Sequence, residues 1–384
     1  MNPRFEANGW QGVVADQFTF ASLRLVTQAL CNHIKHLQSV IDNFPPRLVV
    51  GYDARFMGRH FAEIAAEVIL QNGLDIFLMD RAAPTPVIAW GISDRVSTGA
   101  LVLTGADEAY QYNGVKFITS RMAIASEDTT EDIEAELERL LKFSHPLQMT
   151  LNTGEKELYN PKPAYFRKMA QWIDLEKVAS VAASTVVDYL HGTASGYLRE
   201  ILRPVAGDIL ELQNAPLPDF GGLTPALLHD NLDEIQAALQ RLNNPMGMGL
   251  VLDGDGSNVW VLDHTGQPIS HEETFALLLD YLVSERHSEG GIVKPARKND
   301  LPEKIAALHG IPIHFSATSD FRMITASMVQ EMAIMAGDVL GGFAFDGHIM
   351  ERDGIATALL LMEMMAVRQK PLQAQIKMLA DKVS

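Results

Sequence analysis

Three times along the chain, a short apolar run leads into a loop and then into apolar residues at helical spacing. Residues 48–53 precede a helical pattern over 61–70, residues 184–188 precede one over 197–202, and residues 290–293 precede one over 301–308. A run apolar on both faces reads as a buried parallel strand, and the periodic stripe after it as the helix that crosses back. Recurrence of one strand–loop–helix unit predicts an α/β protein of three stacked domains, each a mixed β-sheet flanked by helices. Phe20, Leu23, Val26, Leu30, Ile34, Leu37 and Ile41 predict an earlier helix, ended by Pro45-Pro46. Further strands are expected at 76–79, 100–104, 207–212 and 311–315, and further helices at 232–242, 355–367 and 372–383. An acidic helix over 128–141 closes the first domain with a solvated face. Pro161 and Pro163 mark a joint, because two prolines resist helix and strand alike. The domains are expected at 1–157, 158–256 and 257–384.

Composition narrows the function. Forty-eight acidic against 31 basic residues leave a net charge of −17. A nucleic-acid binder needs a basic face to neutralise phosphates, and an anionic membrane needs the same, so neither partner is expected. The single cysteine, Cys31, excludes an internal disulfide framework and fits a reducing compartment. The first residues do not read as a signal peptide, and no apolar run reaches the roughly 18 residues of a membrane span. A cytoplasmic location is the expectation.

Ligands of open α/β sheets bind beyond the carboxyl ends of strands, so the loops there are the place to look. Three carry glycine: 104–116, 253–258 and 337–342. Asp253-Gly254-Asp255 sets two carboxylates where both can face one hard cation, Mg²⁺ or Ca²⁺. It is equally a turn into a second strand at 259–263. Both readings stand on these residues alone.

A set of longer strings resembles the α-D-phosphohexomutase superfamily, the phosphoglucomutase/phosphomannomutase enzymes. They are Gly9-Trp10-Gln11-Gly12-Val13, Gly51-Tyr52-Asp53-Ala54-Arg55, Pro84-Thr85-Pro86, Tyr112-Asn113-Gly114-Val115-Lys116, Asp188 with His191-Gly192, Pro218-Asp219-Phe220-Gly221-Gly222, and the run from Asp346 to Gly354. Their order follows the family through three domains. The resemblance implies an enzyme that moves a phosphoryl group between two hydroxyls of a hexose, through an active-site phosphoserine and Mg²⁺ held by three aspartates. A fourth domain would clamp the distal phosphate, and its loop is not found in this sequence.

Against that template the chemistry is stripped. The phosphoserine position is Ala106, followed by Asp107 and Glu108, so no catalytic residue is expected. Lys116, Arg55 and His348 survive at family positions. Lys116 matches a general acid/base or is simply solvated. Arg55 is expected to pair with Asp53 or Asp107, filling the space a phosphate would leave. The metal loop survives as Asp253, Asp255 and Ser257, so Mg²⁺ binding is expected to be weakened or lost. Asp338 and Arg322 are remnants of the sugar loop and of a substrate lysine, while Asp188 and His191 are read as structural. The expected function is a catalytically inert relative that binds hexose phosphate, regulates or assembles. The alternatives are an active phosphotransferase using Asp107, or with a domain supplied in trans, and a scaffold with no sugar affinity. Without a fourth domain, Met350, Met362, Met364 and Met365 are expected to form an exposed patch, covered by a partner or a second copy.

Overall fold

The computed structural model describes residues 4–41, 46–143, 153–296 and 301–383. Pro45 and the first three residues lie outside that set. Three mixed sheets follow one another. The first contains β1 (Trp10–Val13), β2 (Arg47–Tyr52), β3 (Asp75–Met79), β4 (Gly99–Leu103), β5 (Tyr112–Thr119) and β6 (Lys156–Tyr159), in the order β1-β5-β4-β2-β3-β6. The second contains β7 (Thr185–Asp188), β8 (Leu210–Leu212), β9 (Met248–Leu252), β10 (Val259–Leu262) and β11 (Pro268–Ile269), in the order β11-β10-β9-β7-β8. The third contains β12 (Ile292–Pro295), β13 (Ile313–Ser316), β14 (Met335–Gly337) and β15 (Phe343–Phe345), in the order β13-β12-β14-β15.

The strands at the centre of the sheets are the continuous apolar runs. Leu48, Val49 and Val50 of β2 are buried between parallel neighbours β3 and β4. The predicted helices form at Phe20–Ile41, Gly58–Gln71, Tyr197–Leu202, Asp233–Leu242, Leu301–His309 and Leu372–Lys382. The acidic helix is Glu127–Phe143. The second sheet continues past residue 256 into β10 and β11, so the joint expected there cuts a hairpin that antiparallel pairing holds together. Pro161 and Pro163 also act otherwise than expected. They open the helix Lys162–Trp172, where the first turn lacks partners for its N–H groups and proline loses nothing.

The helix Gly354–Arg368 is apolar all round and correspondingly buried. It packs on the helices Leu175–Ala182 and His271–Ser284 and on β9 and β10. Met362, Met364 and Met365 lie fully inside, and Met350 is half-buried against the core of the third sheet. The exposed methionine patch expected from the sequence does not exist, because this helix is shared by two domains. Its one internal charge, Glu363, is satisfied by the Tyr281 hydroxyl at 2.9 Å and the Asp174 N–H at 2.7 Å. No helix among the described residues is long and apolar enough to cross a membrane.

Candidate functional site

The loop after β4 is built around a buried cation. Asp53, at the end of β2, accepts the Thr104 hydroxyl at 2.6 Å and the Arg55 Nε–H at 3.1 Å. The Arg55 guanidinium then donates to the carbonyls of Ala106 (2.7 Å), Glu108 (2.6 Å), Ala109 (2.8 Å) and Tyr112 (3.2 Å). Phe220 of the second domain covers its face at 4.8 Å. Burial pushes the Asp53 carboxyl up, and Arg55 opposes that shift. Of the two partners expected for Arg55, the structure therefore selects Asp53. Asp107 instead lies 3.5 Å from the Asn8 amide. Ala106 is 2% exposed and left-handed, with φ of 51°. A Cβ on Gly105 would meet the Arg55 guanidinium carbon at 2.8 Å, so any larger residue there has to push the guanidinium aside.

The second part of the site is the 253–258 loop. Each oxygen of its two carboxylates already faces a donor. Asp253 Oδ1 accepts the Asn258 backbone N–H at 3.0 Å, and Oδ2 accepts the Asn258 side-chain amide at 2.5 Å. Asp255 Oδ1 accepts the Ser257 hydroxyl at 2.6 Å. Asp255 Oδ2 accepts the Thr85 hydroxyl at 2.6 Å and the Lys116 ammonium at 2.9 Å. Lys116 is completely buried, so the solvated alternative is excluded. Burial and the charge of Asp255 push Asp253 up to about 7. Burial pushes Asp255 the same way, but Lys116 and the hydroxyls of Ser257 and Thr85 outweigh it and hold that carboxyl below the ordinary range.

This donor set does not fit a magnesium ion. Mg²⁺ asks for oxygen lone pairs converging on one octahedral centre, whereas here the oxygens are turned toward protons. Among the described residues, no group of three or more His, Cys, Asp or Glu side chains could hold a metal.

The remaining predicted residues are spread out. Asp338 accepts the N–H groups of Leu340 (2.7 Å) and Gly342 (2.9 Å) and lies 3.6 Å from Arg352. Leu340 itself is 52% exposed. Arg322 is held by Asp320 at 2.6 Å and reaches Thr130 of the first domain at 3.3 Å. His348 lies between the rings of Trp172 (5.3 Å) and Trp90 (6.1 Å) and contacts Asp353 at 2.6 Å. That carboxylate also receives the Tyr165 hydroxyl at 2.7 Å and the Ala356 N–H at 2.8 Å, so it begins the central helix. His348 and Arg322 thus join domains rather than the Ala106 loop. Asp188 is buried, with one oxygen on the Leu190 N–H and the other without a partner among the described residues; burial pushes its carboxyl up to about 6. His191 Nδ1 lies 3.0 Å from the Ala215 carbonyl.

Sequence reasoning missed Arg352, Asn8, Thr85 and Asn258 as partners in the site. Arg352 is buried, donates to Asn8 Oδ1 at 2.6 Å and lies over the Phe321 ring. Burial works against its charge, but Glu351, Asp338, Asp255 and Asp253 more than offset this. All four residues stood inside or beside quoted strings, and nothing in their local pattern named their partners.

Known proteins bear on this geometry. Residues 2–142 match the description "Phosphoglucomutase/phosphomannomutase, alpha/beta/alpha domain I", residues 163–266 its domain II, and residues 270–383 its domain III. A phosphoglucomutase/phosphomannomutase of Thermococcus kodakarensis is 25% identical over 324 residues, covering 84% of this chain and 69% of the relative. A phosphoglucosamine mutase of Pseudomonas syringae pv. syringae is 23% identical, covering 82% and 68%. A crystal structure from Thermus thermophilus, described as a phosphomannomutase, superposes with a TM-score of 0.89 at 26% identity, covering 99% of this chain and 83% of that one. An Aspergillus fumigatus N-acetylphosphoglucosamine mutase shares the fold at a TM-score of 0.59 and 12% identity, covering 97% and 79%. With three consecutive domains matched in order over nearly its whole length, the chain belongs to the phosphoglucomutase/phosphomannomutase family.

Proposed function

We propose that this family member does not turn over sugar phosphates and instead binds them in a regulatory or assembly role. The observation that carries the reading is Ala106. It stands at the position that the family resemblance gives to the phosphoserine, and its methyl group offers no atom to bear a phosphoryl group. The supporting geometry is the Arg55 clamp, which spends its donors on loop carbonyls where a phosphate would otherwise lie. The Aspergillus fumigatus relative is described in complex with glucose 1,6-bisphosphate, and that ligand class is the one we assign to this protein. The reading includes a cytoplasmic setting, on the single cysteine, and a partner protein or second copy whose activity the bound sugar phosphate controls.

Two measurements test it. Purified protein is offered glucose 1-phosphate, mannose 1-phosphate or glucosamine 1-phosphate with Mg²⁺ and a bisphosphate activator. No isomerisation is expected, and turnover in the ordinary enzyme range of about 1–10³ s⁻¹ would refute the proposal. Calorimetry with the same panel should detect binding of at least one hexose phosphate; silence across the panel would favour a scaffold.

A further inference from the structure

We infer that the Lys116 ammonium is this protein's built-in substitute for a divalent cation at the Asp253–Asp255 pair, so the carboxylate loop is held in place without metal. The inference stands whether or not the protein turns sugar phosphates over. Two carboxylates two residues apart are fully buried, and buried charge without compensation is strongly unfavourable. Exposed ligand loops leave that compensation to a bound ion. Here the chain supplies it.

The supply is fixed by the fold. Lys116 sits in the middle of β5, where its backbone pairs with Val102 of β4. That register directs the ammonium across the seam between the first and second domains, onto Asp255 Oδ2 at 2.9 Å. Thr85, at the start of the helix Thr85–Arg95, approaches from the same domain. It gives its hydroxyl to the same oxygen at 2.6 Å and its N–H to the Asp255 carbonyl at 2.9 Å. From within the loop, Ser257 donates to Asp255 Oδ1 at 2.6 Å and lies 3.2 Å from Asp253 Oδ2. The Asn258 amide takes Asp253 Oδ2 at 2.5 Å. A serine and an asparagine therefore bring protons to positions where further carboxylate oxygens would bring lone pairs. A compact ammonium neutralises one charge with three donors and, unlike a hydrated ion, is tethered and never dissociates. It also fastens two domains together, which a bound metal would do only while it was present.

The test is a Mn²⁺ titration of the EDTA-dialysed full chain, followed by the loss of the free-ion spin resonance signal, with thermal melting in MgCl₂ and in EDTA alongside. Wild type is expected to leave the manganese signal unchanged and to melt alike in both buffers. Lys116→Met removes the ammonium and keeps the length of the side chain. It is expected to take up one Mn²⁺ per chain, at least about tenfold more tightly than wild type, and to melt higher in MgCl₂ than in EDTA. Lys116→Arg, which retains the charge, should behave as wild type does. Stoichiometric micromolar binding by the wild type overturns the inference, and so does a folded Lys116→Met that stays silent to both ions. If Lys116→Met folds only when Mg²⁺ is present, the inference is supported. If it folds in neither buffer, the wild-type and Lys116→Arg titrations decide: silence in both supports the inference, and uptake by either overturns it.

Discussion

The loop that holds Ala106 and the loop that holds Asp253 and Asp255 lie on two adjoining domains, and each is organised by buried charge: Arg55 with Asp53 at one, Asp253 with Asp255 at the other. They have been settled in opposite ways. In the first, Ala106 brings no polar side chain to the bend and an arginine on the same domain grips the backbone through four carbonyls. In the second, the acidic side chains remain and a lysine from the neighbouring domain answers them. The first loop takes its charge partner from its own domain, with Phe220 of the second only covering the guanidinium, while the second takes its cation across the seam. Both loops are tightly satisfied, because buried polar groups need partners whether or not chemistry follows.

Substitutions can break this contrast, and the largest effect is expected at Arg55. Arg55→Ala strips the carbonyls and leaves Asp53 buried without its cation, costing about 3–5 kcal/mol in a denaturant titration; a loss below about 1 kcal/mol would show that the clamp is idle. Asn258→Ala takes a charge-directed donor from Asp253 and should cost about 2 kcal/mol by the same measurement.

Asp188 sharpens the contrast from the other side, since one of its oxygens has no partner among the described residues. Its folded value of about 6 lies above the ordinary 3.8, so the native state keeps a proton that the unfolded chain has released. That preference favours folding in acid and is lost as pH rises from the unfolded value through the folded one. Asp188→Asn, which needs no proton, should therefore stabilise the protein by about 2 kcal/mol near neutral pH, with the gain shrinking toward about pH 4. Thermal melts across that range check the sign; a gain that grows in acid would contradict the assignment. The smallest expected effect is Gly105→Ala, about 1 kcal/mol of loss as the guanidinium gives way to a methyl group.

The sheets were legible in the chain because central parallel strands are apolar on both faces and helices carry a period of their own. The strands β1 and β5 were not read as strands. Their polar members, Gln11, Asn113 and Lys116, interrupt the apolar run, Lys116 because it reaches Asp255 in the next domain. The acidic loop was legible too, since two aspartates around a glycine stand out in any context. Its partner was not. Lys116 and Asp255 are 139 residues apart, and Asn8 and Arg352 are 344 apart. Periodicity describes the face of one element and is silent about which side chains meet across a seam. The methionine helix shows the same limit, because its apolar circumference is visible in sequence but the two domains that cover it are not.

Asp353 has a consequence for how this molecule comes apart. One carboxylate starts the central helix, receives Tyr165 from the middle domain and meets His348 beside two tryptophans. The middle and last domains thus cannot separate without fraying the rod that plugs both interiors. A calorimeter would then register them as a single cooperative body, and a truncation ending before residue 353 would strand the middle domain with a raw oily flank.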